Sequence, residues 1–184
     1  MAMIITLSGS PGSGKSSVAK VLAKKLGYRH LSAGGIQRLM GKERGMSIHQ
    51  WDRYVELHPE IDNRIEQRLL AEAKKARNAV MDWRLGFHFL PKCPKIFLYV
   101  KPSIGARRIF NAHRSSEAEN ATLQKTKANM LERHSKLVRR LKKVYGIDYS
   151  DQKNFDFVID TSALTIDETV NTILKFLKRS NRKV

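Results

Sequence analysis

Gly9-Ser10-Pro11-Gly12-Ser13-Gly14-Lys15-Ser16 has the spacing of a phosphate-binding P-loop. A row of phosphates needs backbone N–H groups wrapped around it, and a glycine-rich backbone turns tightly enough to supply them; Lys15 adds a point charge and Ser16 a hydroxyl for Mg²⁺. A chance glycine-serine turn is the plainer alternative, and the flanks argue against it. Met3-Ile4-Ile5-Thr6-Leu7 is a short apolar run suited to a buried parallel strand, and Val18, Leu22 and Leu26 recur beyond the loop at helical spacing. A helix starting there aims its free N–H groups and positive end at the phosphates. Gly9, Ser10, Pro11, Gly12, Ser13, Gly14, Lys15, Ser16 and Ser17 are therefore the candidate residues for ATP, with Ser16 a candidate Mg²⁺ ligand.

The rest of the chain supplies the frame that such a loop requires. A second strand is expected at residues 28–32, ending in Ser32, and Ala33-Gly34-Gly35 opens a helix carrying Ile36, Leu39 and Met40. Ser47 and Gln50 have capping-box spacing, Pro59 suits a helical first turn, and Ile61, Ile65, Leu69 and Ala73 share one side of the next helix. Ala79-Val80-Met81-Asp82 and residues 95–100 read as central strands, with a turn or two of helix near 85–90 between them. A helix is expected over 103–114, a loop or frayed helix over 115–126, and a helix over 130–145 with an apolar stripe of Leu137, Leu141 and Val144 beside basic residues. A last strand falls at 155–159. Thr165 and Glu168 cap a C-terminal helix whose basic end, from 175, is expected to fray.

Strands alternating with helices imply a parallel sheet covered on both faces, an α/β fold whose ligands sit at the carboxyl ends of the strands. Lys15 follows the first strand, Ser32 ends the second and Asp82 ends the third. Asp82 has two readings, a cap for the next turn or a holder of Mg²⁺-bound water.

With 184 residues the chain has room for one well-filled core, and a single domain is expected. Its 35 lysines and arginines against 17 acids give +18, a charge that draws polyanions without choosing among nucleotides, RNA and anionic lipid. Cys93 is the only cysteine, which excludes an intramolecular disulfide and a cysteine metal cluster. No stretch approaches the ~18 apolar residues of a membrane span and the start lacks signal-peptide character, so a cytoplasmic protein with no membrane partner is expected.

With these positions on the page, the chain resembles the nucleoside monophosphate kinases, most closely the archaeal-type cytidylate kinases. The resemblance rests on the P-loop, Ser32-Ala33-Gly34 with Arg38 beyond it, Gly45-Met46-Ser47, His58-Pro59-Glu60-Ile61-Asp62, Arg84, the Arg133 and Arg140 pair, Tyr145-Gly146-Ile147-Asp148, and Ile159-Asp160-Thr161-Ser162. It implies a P-loop kinase with a small parallel sheet flanked by helices. A core of 1–32, 79–112 and 146–184 would carry a helical monophosphate-binding insertion at about 33–76 and a lid at about 113–143. The implied chemistry is transfer of the γ-phosphate of ATP, with Mg²⁺, to CMP or dCMP by a monomeric enzyme. Ser32, Gly34, Arg38 and Arg84 then hold the acceptor, Lys15, Arg84, Arg133 and Arg140 are catalytic, and Ser16 and Asp82 serve the metal. Each arginine has a plainer reading as a solvated surface residue, most of all Arg133 and Arg140 along a basic helix.

Two positions depart from the family pattern: Gly35 where an acid is usual, and Trp83 where a glycine is usual. Either an obstructing ring or a base-stacking ring is expected at Trp83. Twelve lysines and arginines against four acids between 101 and 150 exceed what one nucleotide pair needs. This leaves a second class of function open, a P-loop nucleotide-binding protein associated with RNA or the ribosome, beside a kinase for another monophosphate such as AMP or UMP.

Overall fold

The run Met3–Gly9 (β1) is the central strand, apolar enough to be covered on both faces and hydrogen-bonded on both edges. A computed structural model, which describes residues 3–58, 60–112 and 122–180, pairs it in parallel with Asn78–Asp82 (β3) on one side and Lys95–Tyr99 (β4) on the other. Arg29–Ser32 (β2) and Phe157–Asp160 (β5) form the edges, giving a five-stranded parallel sheet in the order β2-β3-β1-β4-β5. The register sets Leu7 against Asp82 and Ser32 against Asp82, so β2 and β3 end level and β1 runs on to Gly9, where the loop begins.

Alternation along each strand then builds two cores. Ile5, Leu7, Val80, Ile96 and Leu98 face Lys15–Leu26 (α1) and Ile166–Ser180 (α8), which contribute Val18, Leu22, Val170, Ile173 and Leu177. Ala79 and Met81 face the other way, onto three helices that lie in the chain between β2 and β3: Ala33–Glu43 (α2), Ile48–Leu57 (α3) and Glu60–Lys75 (α4). Ile36, Met40, Trp51, Ile61, Ile65 and Leu69 bury against them. A single turn, Gly86–Phe89 (α5), leads into β4, and Pro102–Asn111 (α6) packs against Leu123–Tyr145 (α7).

Local signals start and stop these helices where sequence places them. The Ser47–Gln50 capping box is complete, and Thr165 and Glu168 bond each other's backbone N–H groups at the start of α8. Two expectations give way. Helix α7 begins at Leu123, seven residues before the apolar pattern sharpens, because Thr122 accepts from Lys125 N and carries the cap that the polar composition hides. Residues 113–121, where the rest of the expected loop and the start of the expected lid fall, lie outside the described residues, as does Pro59. Helix α8 holds to Ser180, because Leu174, Phe176 and Leu177 still pack on the core while Lys175 points outward. Val144, expected in the apolar stripe of α7, is 45% exposed, and the buried positions of that helix are Thr126, Met130 and Leu141.

Candidate active site

At Gly9 and Gly12 the loop from Gly9 to Lys15 is built by backbone contacts that leave no room for a side chain. A Cβ on Gly9 would stand 2.5 Å from the Leu98 carbonyl oxygen, and one on Gly12 would stand 2.4 Å from that of Gly105. Gly12 and Gly14 adopt φ values of 76° and 82°, open to glycine and strained for other residues. Gly105, in α6, is a partner that sequence reading passes over: its missing side chain lets the loop's backbone rest on the helix. Ser10 N donates to Leu98 O at 2.9 Å, and Thr161 Oγ1, just past β5, donates to Ser13 O at 3.2 Å, so strands β4 and β5 both fix the loop.

Gly14 caps α1 without a side-chain hydrogen bond, leaving the first-turn N–H groups directed at the loop. The Ser13 hydroxyl is buried with no hydrogen-bond partner among the described residues. These are the marks of an anion cradle.

Lys15 and Ser16 both turn to Asp82 at the end of β3. The Lys15 ammonium is in direct contact with one carboxylate oxygen, and Ser16 Oγ donates to the other at 2.5 Å. Asp82 is thus committed to the P-loop rather than to capping the turn that follows it. Burial pushes the Lys15 ammonium down to about 7 and Arg84 pushes the same way, while the carboxylate of Asp82 in contact with it favours the charged form.

The residues expected at an acceptor lie around that pair. Arg84, two positions past Asp82, is exposed and acts on Lys15, Glu66, His134 and Tyr149. Arg38 is exposed on α2, with a guanidinium nitrogen 3.4 Å from where a Cβ on Gly34 would stand. Ser32 Oγ accepts from Gly35 N at 3.0 Å, so its hydroxyl is the N-cap of α2. A Cβ at Gly35 would come within 2.8 Å of that capping oxygen, so a side chain there asks the Ser32 hydroxyl to shift. On α7, Arg133 is exposed, and Arg140 Nε lies 3.2 Å from Asp62 Oδ2 on α4. Spaced by seven, the two arginines share a side of the helix.

Trp83 is neither an open ring in a cleft nor a loose obstruction. It is 1% exposed, stacks on Phe89 at 5.3 Å between centroids and donates its indole N–H to Glu66. Burial raises the Glu66 carboxyl to about 7; the indole bond lowers it, Asp62 raises it and Arg84 lowers it. Sequence reading does not single out Glu66, although acids at 62 and 66 beside Ile61 and Ile65 are the available signal: carboxylates one turn apart at the margin of an apolar stripe. It also passes over His134 and Tyr149, whose Nδ1 and hydroxyl lie 2.7 Å apart beneath Arg84.

Among the described residues no group of three or more His, Cys, Asp or Glu side chains is placed to hold a metal. One carboxylate and one hydroxyl suit a hard, largely hydrated cation carried in with phosphates, which is how Mg²⁺ is held.

Comparison with known proteins points the same way as this geometry. Residues 4–163 match the model of the cytidylate kinase-like family. A cytidylate kinase of Methanocaldococcus jannaschii is 36% identical over 174 residues, covering 93% of this chain and 95% of that protein. An S-adenosylmethionine-dependent nucleotide dehydratase of Lacinutrix mariniflava is 35% identical over 178 residues, covering 96% of this chain, which spans only 36% of the dehydratase's length. Among solved structures, a shikimate kinase from Bacteroides thetaiotaomicron superposes with a TM-score of 0.63 at 14% identity, covering 96% of this chain and 98% of that one, a likeness of fold.

Proposed function

From the premise that this chain belongs to the cytidylate kinase-like family, we propose that it is a phosphotransferase carrying the γ-phosphoryl group of ATP to the 5′-phosphate of CMP or dCMP. The observation that carries the reading is the convergence of Lys15 and Ser16 on Asp82, with Arg84 two residues further along the same strand end. Donor and acceptor poles are therefore neighbours.

Phosphoryl transfer through a loose transition state asks the protein for alignment and for cancellation of charge on the phosphate oxygens, with little covalent chemistry. Gly9 to Ser17 cradle the phosphates of ATP with backbone N–H groups, and Lys15 leaves Asp82 to follow the γ-phosphate. Arg38 and Arg84, with Ser32 and Gly34 at the mouth of α2, hold the acceptor phosphate, since planar guanidinium groups match two oxygens at once. Arg133 and Arg140 bring further fixed charge from α7. Ser16 and Asp82 are the residues to hold Mg²⁺, directly or through water. When bound, the ion neutralises charge on the β- and γ-oxygens. Residues 33–76 serve as the monophosphate-binding arm and 113–143 as the lid, and the enzyme acts as a cytoplasmic monomer. Among the described residues no helix is long and apolar enough to cross a membrane.

A coupled assay of ATP consumption with CMP, dCMP, UMP and AMP tests the reading. Turnover highest with CMP or dCMP is expected, and absence of turnover with every monophosphate overturns it.

One observation favours an additional, weak affinity for RNA. Lys125, Lys136, Arg139 and Lys143 recur along the exposed side of α7, roughly the length of the helix, with Lys136 paired to Glu132 at 2.7 Å and Arg139 acting on the same carboxylate.

A further inference from the structure

Tyr149 has a ring whose burial packing explains and a hydroxyl that packing does not need. The side chain is 1% exposed, and its ring shares a cluster with Leu85, Phe87 and Leu141. Leu85 follows Arg84 directly and Leu141 belongs to α7, so the ring joins the segment after β3 to that helix. A phenylalanine would fill the place. The hydroxyl instead meets His134 Nδ1 on α7 at 2.7 Å and takes a side-chain hydrogen bond from Arg84. The loop that carries it is braced from both sides: Asp148 Oδ1 accepts from Ser150 N at 2.8 Å, and Asn154 Nδ2 donates to the Asp148 carbonyl oxygen at 3.0 Å.

Counting donors and acceptors fixes the direction of these bonds. A guanidinium only donates, whereas a phenol has one proton and two lone pairs. All three groups are satisfied when Arg84 donates to the Tyr149 oxygen and the Tyr149 proton goes to an unprotonated Nδ1 of His134. Burial, then Arg84, holds the His134 imidazole below its ordinary 6.5, with Asp148 opposing, so the ring is neutral at neutral pH. Burial raises the Tyr149 phenol, Arg84 lowers it by charge and by its hydrogen bond, and Asp148 raises it; the phenol keeps its proton. Of the charged groups on α6, which packs against α7, Arg107 is exposed and Arg108 donates to the carbonyl oxygens of Thr161 and Leu164; the charges that act on His134 are those of Arg84 and Asp148.

We propose that Tyr149, backed by His134, is a positioning residue: it sets the direction in which Arg84 offers its guanidinium to the acceptor phosphate and couples that arginine to the helix carrying Arg133 and Arg140. The inference rests on the kinase reading for what Arg84 holds. An exposed arginine loses rotamer freedom when it grips a phosphate, and a buried hydroxyl that has already selected the rotamer removes part of that loss. Because His134 lies in α7, displacement of the helix takes away the acceptor of the Tyr149 proton, and the hold on Arg84 slackens with it. A docked α7 and a set acceptor arginine therefore go together. Protonation of His134 has the same result: both ring nitrogens then donate, the phenol proton is left without an acceptor, and a second positive charge stands beside Arg84.

Tyr149→Phe keeps the ring and removes the hydroxyl. By calorimetry it should weaken CMP binding about three- to tenfold, the worth of one hydrogen bond, and leave ATP binding unchanged. In an Arg84→Ala background the same substitution should change CMP binding no further, since a positioning residue acts only through the group it positions. Unchanged CMP binding in Tyr149→Phe, or an equal loss with and without Arg84, overturns the proposal. His134 supplies two further readouts. Its imidazole titration, followed by NMR, should move up toward 6.5 in Arg84→Gln; an unmoved titration means that arginine and imidazole are not joined, and the proposal fails. Below pH 6.5, kcat/KM for CMP should fall more steeply in the parent than in His134→Asn, whose amide oxygen accepts the phenol proton at every pH. The acceptor phosphate, with its own pKa of about 6, titrates alike in both proteins, so parallel acid limbs overturn the coupling. A parent that transfers phosphate to no monophosphate overturns the kinase reading instead, and the titration of His134 still decides whether Tyr149 joins it to Arg84.

Discussion

Lys15 at the start of α1 and Asp82 at the end of β3 are in direct contact, and both side chains are largely buried, at 15% and 7% exposure. A reading of Lys15 as a flexible charge on a surface loop expects its loss to spare stability. The contact changes that expectation, because Lys15→Ala leaves Asp82 with Ser16 as its remaining partner. Lys15→Ala should lower phosphoryl transfer about 10²–10³-fold, the effect of removing one preorganised donor. It should also lower stability by about 1–3 kcal/mol through the uncompensated carboxylate. Adding Asp82→Asn should recover part of the stability and none of the rate. Urea unfolding of parent, single and double variants checks the first statement, and the coupled assay the second; an unchanged midpoint in Lys15→Ala would remove the structural role.

Glu66 gives the fold a pH dependence whose sign follows from burial. Its carboxyl rises from an ordinary 4.5 to about 7 in the folded protein, so the folded state keeps a proton that the unfolded chain releases. Its contribution to stability is complete below about pH 4.5 and is lost as the pH climbs toward 7. Glu66→Gln cannot ionise and retains an oxygen for the Trp83 indole. Relative to the parent it should therefore gain about 2 kcal/mol between pH 4.5 and 7.5, allowing for partial exposure. Unfolding midpoints at those two pH values measure the gain, and parallel profiles for the two proteins would count against the raised carboxyl.

Legibility in the sequence tracked the range of the interaction responsible. The P-loop, the Ser47–Gln50 box, the Thr165–Glu168 pair and the strand ending at Asp82 are specified within a few residues, and each stands where local pattern puts it. What eluded reading depends on distant partners. Trp83 looked like a choice between obstruction and base stacking because nothing near it announces Glu66, 17 residues away, or the stack on Phe89. Nothing in the sequence singles out Gly105, because the loop at Pro11 and Gly12 comes to rest on it only in the fold. Asp62 belongs to a recognisable segment, yet its partner Arg140 lies in α7, and only the fold brings the two together. The start of α7 was hidden for a different reason: Thr122 and the first turn are polar and largely exposed, so no apolar period marks them.

Arg38 and Arg84 should serve the acceptor and leave the donor alone. Replacing either with Ala should weaken CMP binding by about 1.5–3 kcal/mol, the range for a hydrogen bond to a charged group. ATP affinity should hold in Arg38→Ala. In Arg84→Ala it should hold or rise slightly, because the guanidinium that opposes the Lys15 charge is gone. Calorimetric titration of each variant with each nucleotide separates the cases. Loss of ATP binding with CMP binding intact would reverse the assignment of the two poles.

The basic side of α7 and the end of α8 decide between a nucleotide enzyme with a cationic surface and an RNA-associated protein. Binding to single-stranded RNA through such a surface releases counterions, so log K should fall against log[salt] with a slope near −0.7 for each phosphate contacted. Lys178 and Arg179 are exposed on α8 beyond Leu177, its last fully packed residue. Changing both to Gln should therefore flatten that slope without altering CMP turnover. Weak binding that disappears at physiological salt is expected, since a charge-only surface lacks the stacking and base contacts that keep RNA bound once counterions compete. Filter binding of mixed-sequence RNA across a salt series reads the slope. Submicromolar binding that persists at physiological salt, together with negligible turnover of every monophosphate, would make RNA the main ligand and the P-loop an accessory to it.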